Sequence, residues 1–228
     1  MNRWLRTVAI VGAPLAVLLV AGPGWSQALG TAAIPLDARE QTIRVEESTM
    51  GDLAADAVRV ALKAEVGLVF AGEFRSRVIP PGDVTREALA SVLLYPQEQV
   101  VVAAVRGDKL LAALEESLSN LPRPNAGFLQ VSNLRVDYRS AAPAGQRIAS
   151  VEVAGRPLEP ARNYRVAMPK SLAEGQMGYF RVFKGLKLEG TEPPTTLIGA
   201  LVSYVTDVKT VDITPGQRIR DLTPPDAR

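Results

Sequence analysis

Two arginines and one phenylalanine carry the chemistry this sequence most readily offers. Arg75 and Arg77 stand two residues apart, so in an extended segment both guanidiniums leave the same side and could share an anion. Phe128 is one of only five phenylalanines, in a chain where aromatic rings of any kind are few. Each has a plainer role: Arg75 as a strand-end ion-pair partner, Arg77 as solvated surface, Phe128 as core. The carboxylates are less suggestive. Glu46-Glu47 and Glu115-Glu116 are sequence neighbours and read as solvated faces, and Asp52 and Asp56 lie four apart at a helix start that favours acids through its dipole. Histidine and cysteine are both absent. That removes Ser-His-Asp and Cys-His nucleophiles and any imidazole-bearing metal centre. No GxGxxG, Walker A or EF-hand pattern occurs, so no cofactor and no metal is expected. Carboxylate-only catalysis stays open.

The N-terminus has the order of a secretory leader. Arg3 and Arg6 precede an apolar run from Val8 to Val20, interrupted by Pro14, and Ser26-Gln27-Ala28 supplies small residues for cleavage. The run is too short and broken for a stable membrane span. Residues 1–28 are therefore expected to be a signal peptide cut near Ala28, giving an exported, periplasmic or secreted protein. Losing Arg3 and Arg6 brings the 26 basic residues level with the 24 acidic ones. A neutral mature chain gives no support for nucleic-acid binding, which needs a clustered cationic face.

The elements that must hold these residues can be read in order. Thr42–Val45 reads as extended. Thr49 caps a helix running to about Val66, with Leu53, Ala57, Val60, Ala61 and Ala64 at helical spacing. Gly67–Phe70 is a buried strand and Thr85–Leu94 a second helix. The Val/Ala run Val100–Val105 is a central strand buried on both faces. Leu110, Leu111, Leu114 and Leu118 stripe a third helix. Alternation through Leu129, Val131, Leu134 and Val136, a Pro143-Ala144-Gly145 turn, and Ile148, Val151 and Val153 predict an antiparallel ladder, followed by strand Tyr164–Met168. Phe180–Phe183 reads as a short strand, Thr195–Asp207 as the last helix and Arg218–Arg220 as a closing strand. One domain, residues 29–222, and a frayed tail, 223–228, complete the expectation.

Several blocks together resemble the C-terminal domain of the 5'-nucleotidases. They are Glu47-Ser48-Thr49-Met50-Gly51-Asp52-Leu53, Ala71-Gly72-Glu73-Phe74-Arg75 with Pro80-Pro81-Gly82-Asp83-Val84-Thr85, Gly107-Asp108-Lys109-Leu110, Gly127-Phe128-Leu129-Gln130-Val131-Ser132 and Gly175-Gln176-Met177-Gly178-Tyr179. The resemblance implies a mixed α/β (α+β) domain of layered sheets flanked by helices. It also implies a substrate-gripping role beside a metallophosphoesterase domain, which this chain does not match.

In that family a base lies between two aromatic rings and arginines hold the phosphate. By resemblance Phe128 is the first ring and Arg75 an anion contact. The second ring's place holds Ser171, the ribose-binding Asp is Met177, the Asn of Asn-Gly-Gly-Ile-Arg is Ala71, and Glu98 stands where the family has a neutral amide. A lost stacking face removes about 1–3 kcal/mol and a lost charge-assisted hydrogen bond roughly 1.5–3 kcal/mol, at about 1.4 kcal/mol per decade. The nucleotide site is thus expected to be degenerate. The expected function is a non-catalytic module for a nucleotide or other small anionic ligand. Alternatives are a subunit working with a separately encoded metallophosphoesterase, and a structural envelope protein.

Overall fold

A computed structural model describes residues 27–189 and 193–224. Residues 1–26, where a leader is expected, and residues 190–192 and 225–228 lie outside it. Its centre is a five-stranded sheet in the order Leu188–Glu189, Val100–Arg106, Asn163–Pro169, Val66–Phe70, Leu129–Ser132. Asn163–Pro169 runs parallel to Val66–Phe70, and the other pairs are antiparallel.

The continuous apolar runs are explained by burial on both faces. Val69, Val100, Val102 and Ala167 point into a core with Met50, Leu53 and Val58 of the helix Thr49–Ala61. Their sequence neighbours Leu68, Val101, Ala103 and Val166 point the other way, toward Leu110 and Leu114 of the helix Gly107–Leu118. A four-stranded sheet covers that second face, in the order Arg156–Pro157, Ile148–Val153, Leu134–Tyr138, Ile219–Asp221. The helix Leu197–Val208 backs the Thr49 helix, and a small sheet of Thr210–Val211, Ala28–Ala32 and Gly82–Thr85 closes that side. Gly67 lets helix and sheet approach closely, since a Cβ there would sit 2.2 Å from the Ala55 carbonyl oxygen. The mixed α/β layered architecture matches the expectation.

Local readings were corrected in six places. Ser48, not Thr49, caps the first long helix by accepting from the Gly51 amide, because the Thr49 hydroxyl oxygen already accepts the Asp37 amide at 2.7 Å while its proton goes to the Pro35 carbonyl. That helix stops at Ala61 rather than Val66, which already belongs to the next strand. Thr42 lies in the helical turn Glu40–Ile43 instead of an extended piece. Phe180–Phe183 is a helical turn, in which Tyr179 and Phe183 stack with centroids 5.6 Å apart. The ladder after Gly127 is split between two sheets at Asn133, whose φ of 60° turns the chain. Thr223, expected to fray, is buried and accepts from the Ser140 hydroxyl.

Candidate functional site

Strand direction brings four loops to one edge of the central sheet. Val66 pairs with Val166 in parallel, while Phe70 faces Leu129 and Pro169 faces Val100 in antiparallel register. The residues after Phe70 and Pro169, and those before Leu129 and Val100, therefore meet at the same end. This is the carboxyl end of the parallel pair, the usual ligand-bearing edge of such sheets.

Backbone bonds fix these loops. The Ala71 and Gly72 amides donate to the Phe128 and Ala126 carbonyls at 2.8 and 2.7 Å, pinning the turn Ala71–Glu73. The turn folds the Glu73 side chain inward until only 1% of the residue is exposed. The Glu98 amide closes a turn onto the Tyr95 carbonyl, and Glu98 Oε1 accepts the Ser171 amide at 2.8 Å. Ser171 Oγ lies 3.4 Å from Glu73 Oε1, and Glu73 Oε2 has no hydrogen-bond partner among the described residues. Burial first, and then the Glu98 carboxylate, push the Glu73 carboxyl up to about 8, against the opposing Ser171 hydroxyl. Glu73 is thus mostly neutral at pH 7.

Glu98 and Ser171, but not Glu73, line a cleft of about 320 Å³ together with Gln97, Gln99, Lys170 and Glu174. The Lys170 ammonium is held 3.7 Å from Glu174. Such a surface can receive hydrogen-bond donors and positive charge, and it offers no arginine to an anion.

The expected site residues fall elsewhere. Arg75 and Arg77 are exposed and neither lines this cleft. What Arg75 contributes is backbone, its amide donating to the Val92 carbonyl. Phe128 has 0% exposure and lies in the core with Met50 and Leu53, so its ring has no face for a ligand. Ser171 does line the cleft, and Met177, about half exposed with φ 56°, lies against Gly127 instead. Tyr179 is buried and its hydroxyl donates to the Gly127 carbonyl at 2.6 Å, which ties the glycine-rich loop to the edge. Its neighbour Phe180 is 57% exposed. Residue-by-residue reading missed Glu73. It stands three residues after the strand Val66–Phe70, and the loops that enclose it are distant in sequence, so no local pattern marks it.

A second acidic group also departs from expectation. Glu47, read as part of a solvated face, and Asp52, read as an acid favoured by the helix dipole, are both buried. Glu47 accepts the Arg218 and Ile219 amides at 2.7 and 2.8 Å, tying the closing strand to the first long helix. Arg218 forks onto Asp56, with its Nε 3.5 Å from Asp52 Oδ2. Burial above all, resisted by the Arg218 charge, pushes Asp52 up to about 9. One guanidinium among three carboxyls leaves the most buried one protonated. This cluster joins elements and opens no ligand surface at Asp52.

The profile of the family described as 5'-nucleotidase, C-terminal domain, matches residues 28–185. The chain belongs to that family. A snake venom 5'-nucleotidase from Macrovipera lebetinus is 28% identical over 176 residues, covering 68% of this chain and 43% of the relative. The mouse 5'-nucleotidase is 29% identical over 174 residues, covering 68% of this chain and 30% of its own length. Among solved structures, the 5'-nucleotidase precursor of Thermus thermophilus superposes with a TM-score of 0.78 at 28% identity, over 87% of this chain and 40% of that one. The Haemophilus influenzae NAD nucleotidase shares the fold, with a TM-score of 0.74 at 17% identity, 87% of this chain and 39% of its own covered. This chain thus spans less than half the length of these relatives.

Proposed function

We propose that this chain is an exported, non-catalytic binding or accessory module of the 5'-nucleotidase lineage, with its ligand cleft at the Glu73–Glu98–Ser171 edge. One observation carries the reading. The edge where four strands deliver their loops holds an open polar cleft, while the sequence has no histidine or cysteine to serve as nucleophile, base or soft metal ligand. Family membership supports ligand gripping and is silent on turnover. Export rests on the sequence before Leu29, whose described part begins at Gln27, with Ala28 opening the strand Ala28–Ala32. The purified chain with magnesium or manganese and AMP is expected to release no phosphate above a blank. Turnover by the chain alone would overturn the assignment.

A second reading makes the chain one subunit of a two-chain hydrolase. It is favoured by the family match filling most of this chain but less than half of each relative. Co-purification from the native source with a metallophosphoesterase chain would support it. Phosphate release unchanged when that chain is added would sink it.

A further inference from the structure

We propose that a second cleft, lined by the last long helix and the Asn133 corner, binds an uncharged sugar. It is independent of the Glu98–Ser171 edge, because it lies at the other end of the central sheet. Ser132, next to Asn133, pairs with Gly67 near the start of the strand Val66–Phe70, whereas the first cleft lies beyond Phe70. The space is about 590 Å³. Two of its lining residues are held in fixed positions: Arg218 forks onto Asp56 and donates to the Val131 carbonyl, and the Ser132 hydroxyl donates to Asp56. Tyr204 and Val208 come from the helix Leu197–Val208, which runs directly into Thr210, Asp212 and Thr214. Asn133, Arg135 and Gly155, on the four-stranded sheet and its turns, also line the cleft.

Three observations point to a ligand. First, polar groups line the cleft without partners. The Tyr204 hydroxyl, the Asp212 carboxylate, the Thr214 hydroxyl and the Gln217 side-chain amide have no hydrogen bond or ion pair among the described residues. Tyr204 is half-buried, and burial and the Asp56 charge push its hydroxyl up against the opposing Arg218 and Arg59, so it lies near fixed charges without bonding to them. Second, the charges cancel. Arg218 answers Asp56, and Asp212 is balanced by Arg135, whose contact with Asp137 is loose at 3.9 Å while Arg220 holds that carboxylate at 2.7 and 2.9 Å. Third, strained backbone delivers part of the lining. Lys209 has φ 63° and ψ −43°, near the rare γ-turn geometry, and is fixed by bonds to the Val205 carbonyl at 3.0 Å and from the Thr31 amide at 2.7 Å. Such strain persists where ligands are clamped, and here it turns Thr210–Thr214 into the cleft that Tyr204 lines.

A ligand for this lining must donate and accept at several points and carry no net charge. The neighbouring hydroxyls of a sugar do so: their O–H groups can donate to Asp212, while sugar oxygens accept from Arg135 and Tyr204. A phosphate or a polyamine would meet a like charge for each opposite one. The volume falls within the usual range of small-molecule pockets.

The test follows amide NMR of the full mature chain at pH 7 during titration with glucose, maltose and trehalose. Gluconate, spermidine and AMP serve as anionic, cationic and nucleotide counterparts at matched ionic strength. A neutral sugar is expected to shift the Tyr204, Asp212, Thr214 and Gln217 amides and to leave those of Gln97–Gln99 in place. The charged probes are expected to bind there roughly tenfold more weakly or not at all. Asp212→Asn, at an exposed and unpaired position, is expected to weaken the sugar roughly tenfold without altering thermal unfolding. Tyr204→Phe removes only the hydroxyl and is expected to weaken it about threefold or more. Tighter binding at these amides by gluconate, spermidine or AMP would overturn the ligand class. Sugar affinity unchanged in both variants would overturn the site, and so would the absence of any shift at these amides with all six probes. None of these failures touches phosphate release or the Glu98 edge, so the module reading would stand.

Discussion

The guanidinium of Arg218 grips the carboxylate of Asp56 with both Nη atoms, at 3.0 and 2.8 Å, and so locks the last strand onto the first long helix. The same Nη1 donates to the Val131 carbonyl at 2.8 Å, so one side chain joins three elements. The pair is only partly sheltered, with 21% of the Arg218 side chain and 14% of Asp56 exposed. Arg218→Ala strands Asp56 beside Asp52 and Glu47 and is expected to cost about 2–4 kcal/mol in urea unfolding. Arg218→Lys keeps the charge without the fork and is expected to recover part of that loss. A loss below about 0.5 kcal/mol in the alanine variant would show that the closing strand is held by other means.

Two buried acids set how stability varies with pH. Asp52 rises from its usual 3.8 to about 9 and Glu73 from 4.5 to about 8, in both cases chiefly through burial. Each carboxyl keeps its proton in the folded chain at pH values where the unfolded chain has released it. Their stabilising contribution is complete below pH 4 and is lost as pH rises toward 8 and 9. The wild type is therefore expected to melt at a higher temperature at pH 5 than at pH 8. Asp52→Asn and Glu73→Gln, which mimic the protonated side chains, should each flatten that slope and gain on the order of 1–3 kcal/mol relative to wild type at pH 8. Slopes unaltered by both substitutions would show the two carboxyls to be ionised in the fold.

Much of this architecture was legible because burial on two faces leaves continuous apolar runs such as Val100–Ala103. The break at Asn133 was also written in the chain. Apolar positions run odd through Leu129 and Val131, then even through Leu134 and Val136, and that slip of phase marks two strands rather than one. Tyr179 and Phe183 stand at helical spacing, yet four residues with three apolar positions do not separate helix from strand. The site was harder to see. Exposure depends on contacts distant in sequence, so nothing local tells that Glu73 is enclosed and Tyr95, 60% exposed, is not.

The exposed arginines supply a clean contrast with the cleft. Neither Arg75 nor Arg77 has a side-chain ion pair or hydrogen bond among the described residues, and both lie on the surface. Arg75→Ala and Arg77→Ala are expected to stay within about 0.5 kcal/mol of wild type in urea unfolding. Weakened binding of AMP or inorganic phosphate by these variants relative to wild type would restore them as ligand contacts.

Phe128 poses the sharpest choice between a ligand-stacking ring and a core ring. Its carbonyl accepts the Ala71 amide and its amide donates to the Asn125 carbonyl, so both backbone groups are committed to the loops that shape the edge. The ring has 0% exposure and sits among Met50, Leu53 and other buried apolar side chains. Phe128→Ala should therefore open a cavity and cost about 3–5 kcal/mol, while Phe128→Leu should cost far less. With the fold kept by leucine, the Gln97–Gln99 amides should keep their wild-type NMR positions. A leucine variant with wild-type melting but lost ligand binding would return Phe128 to the site and require the ring to swing out of the core.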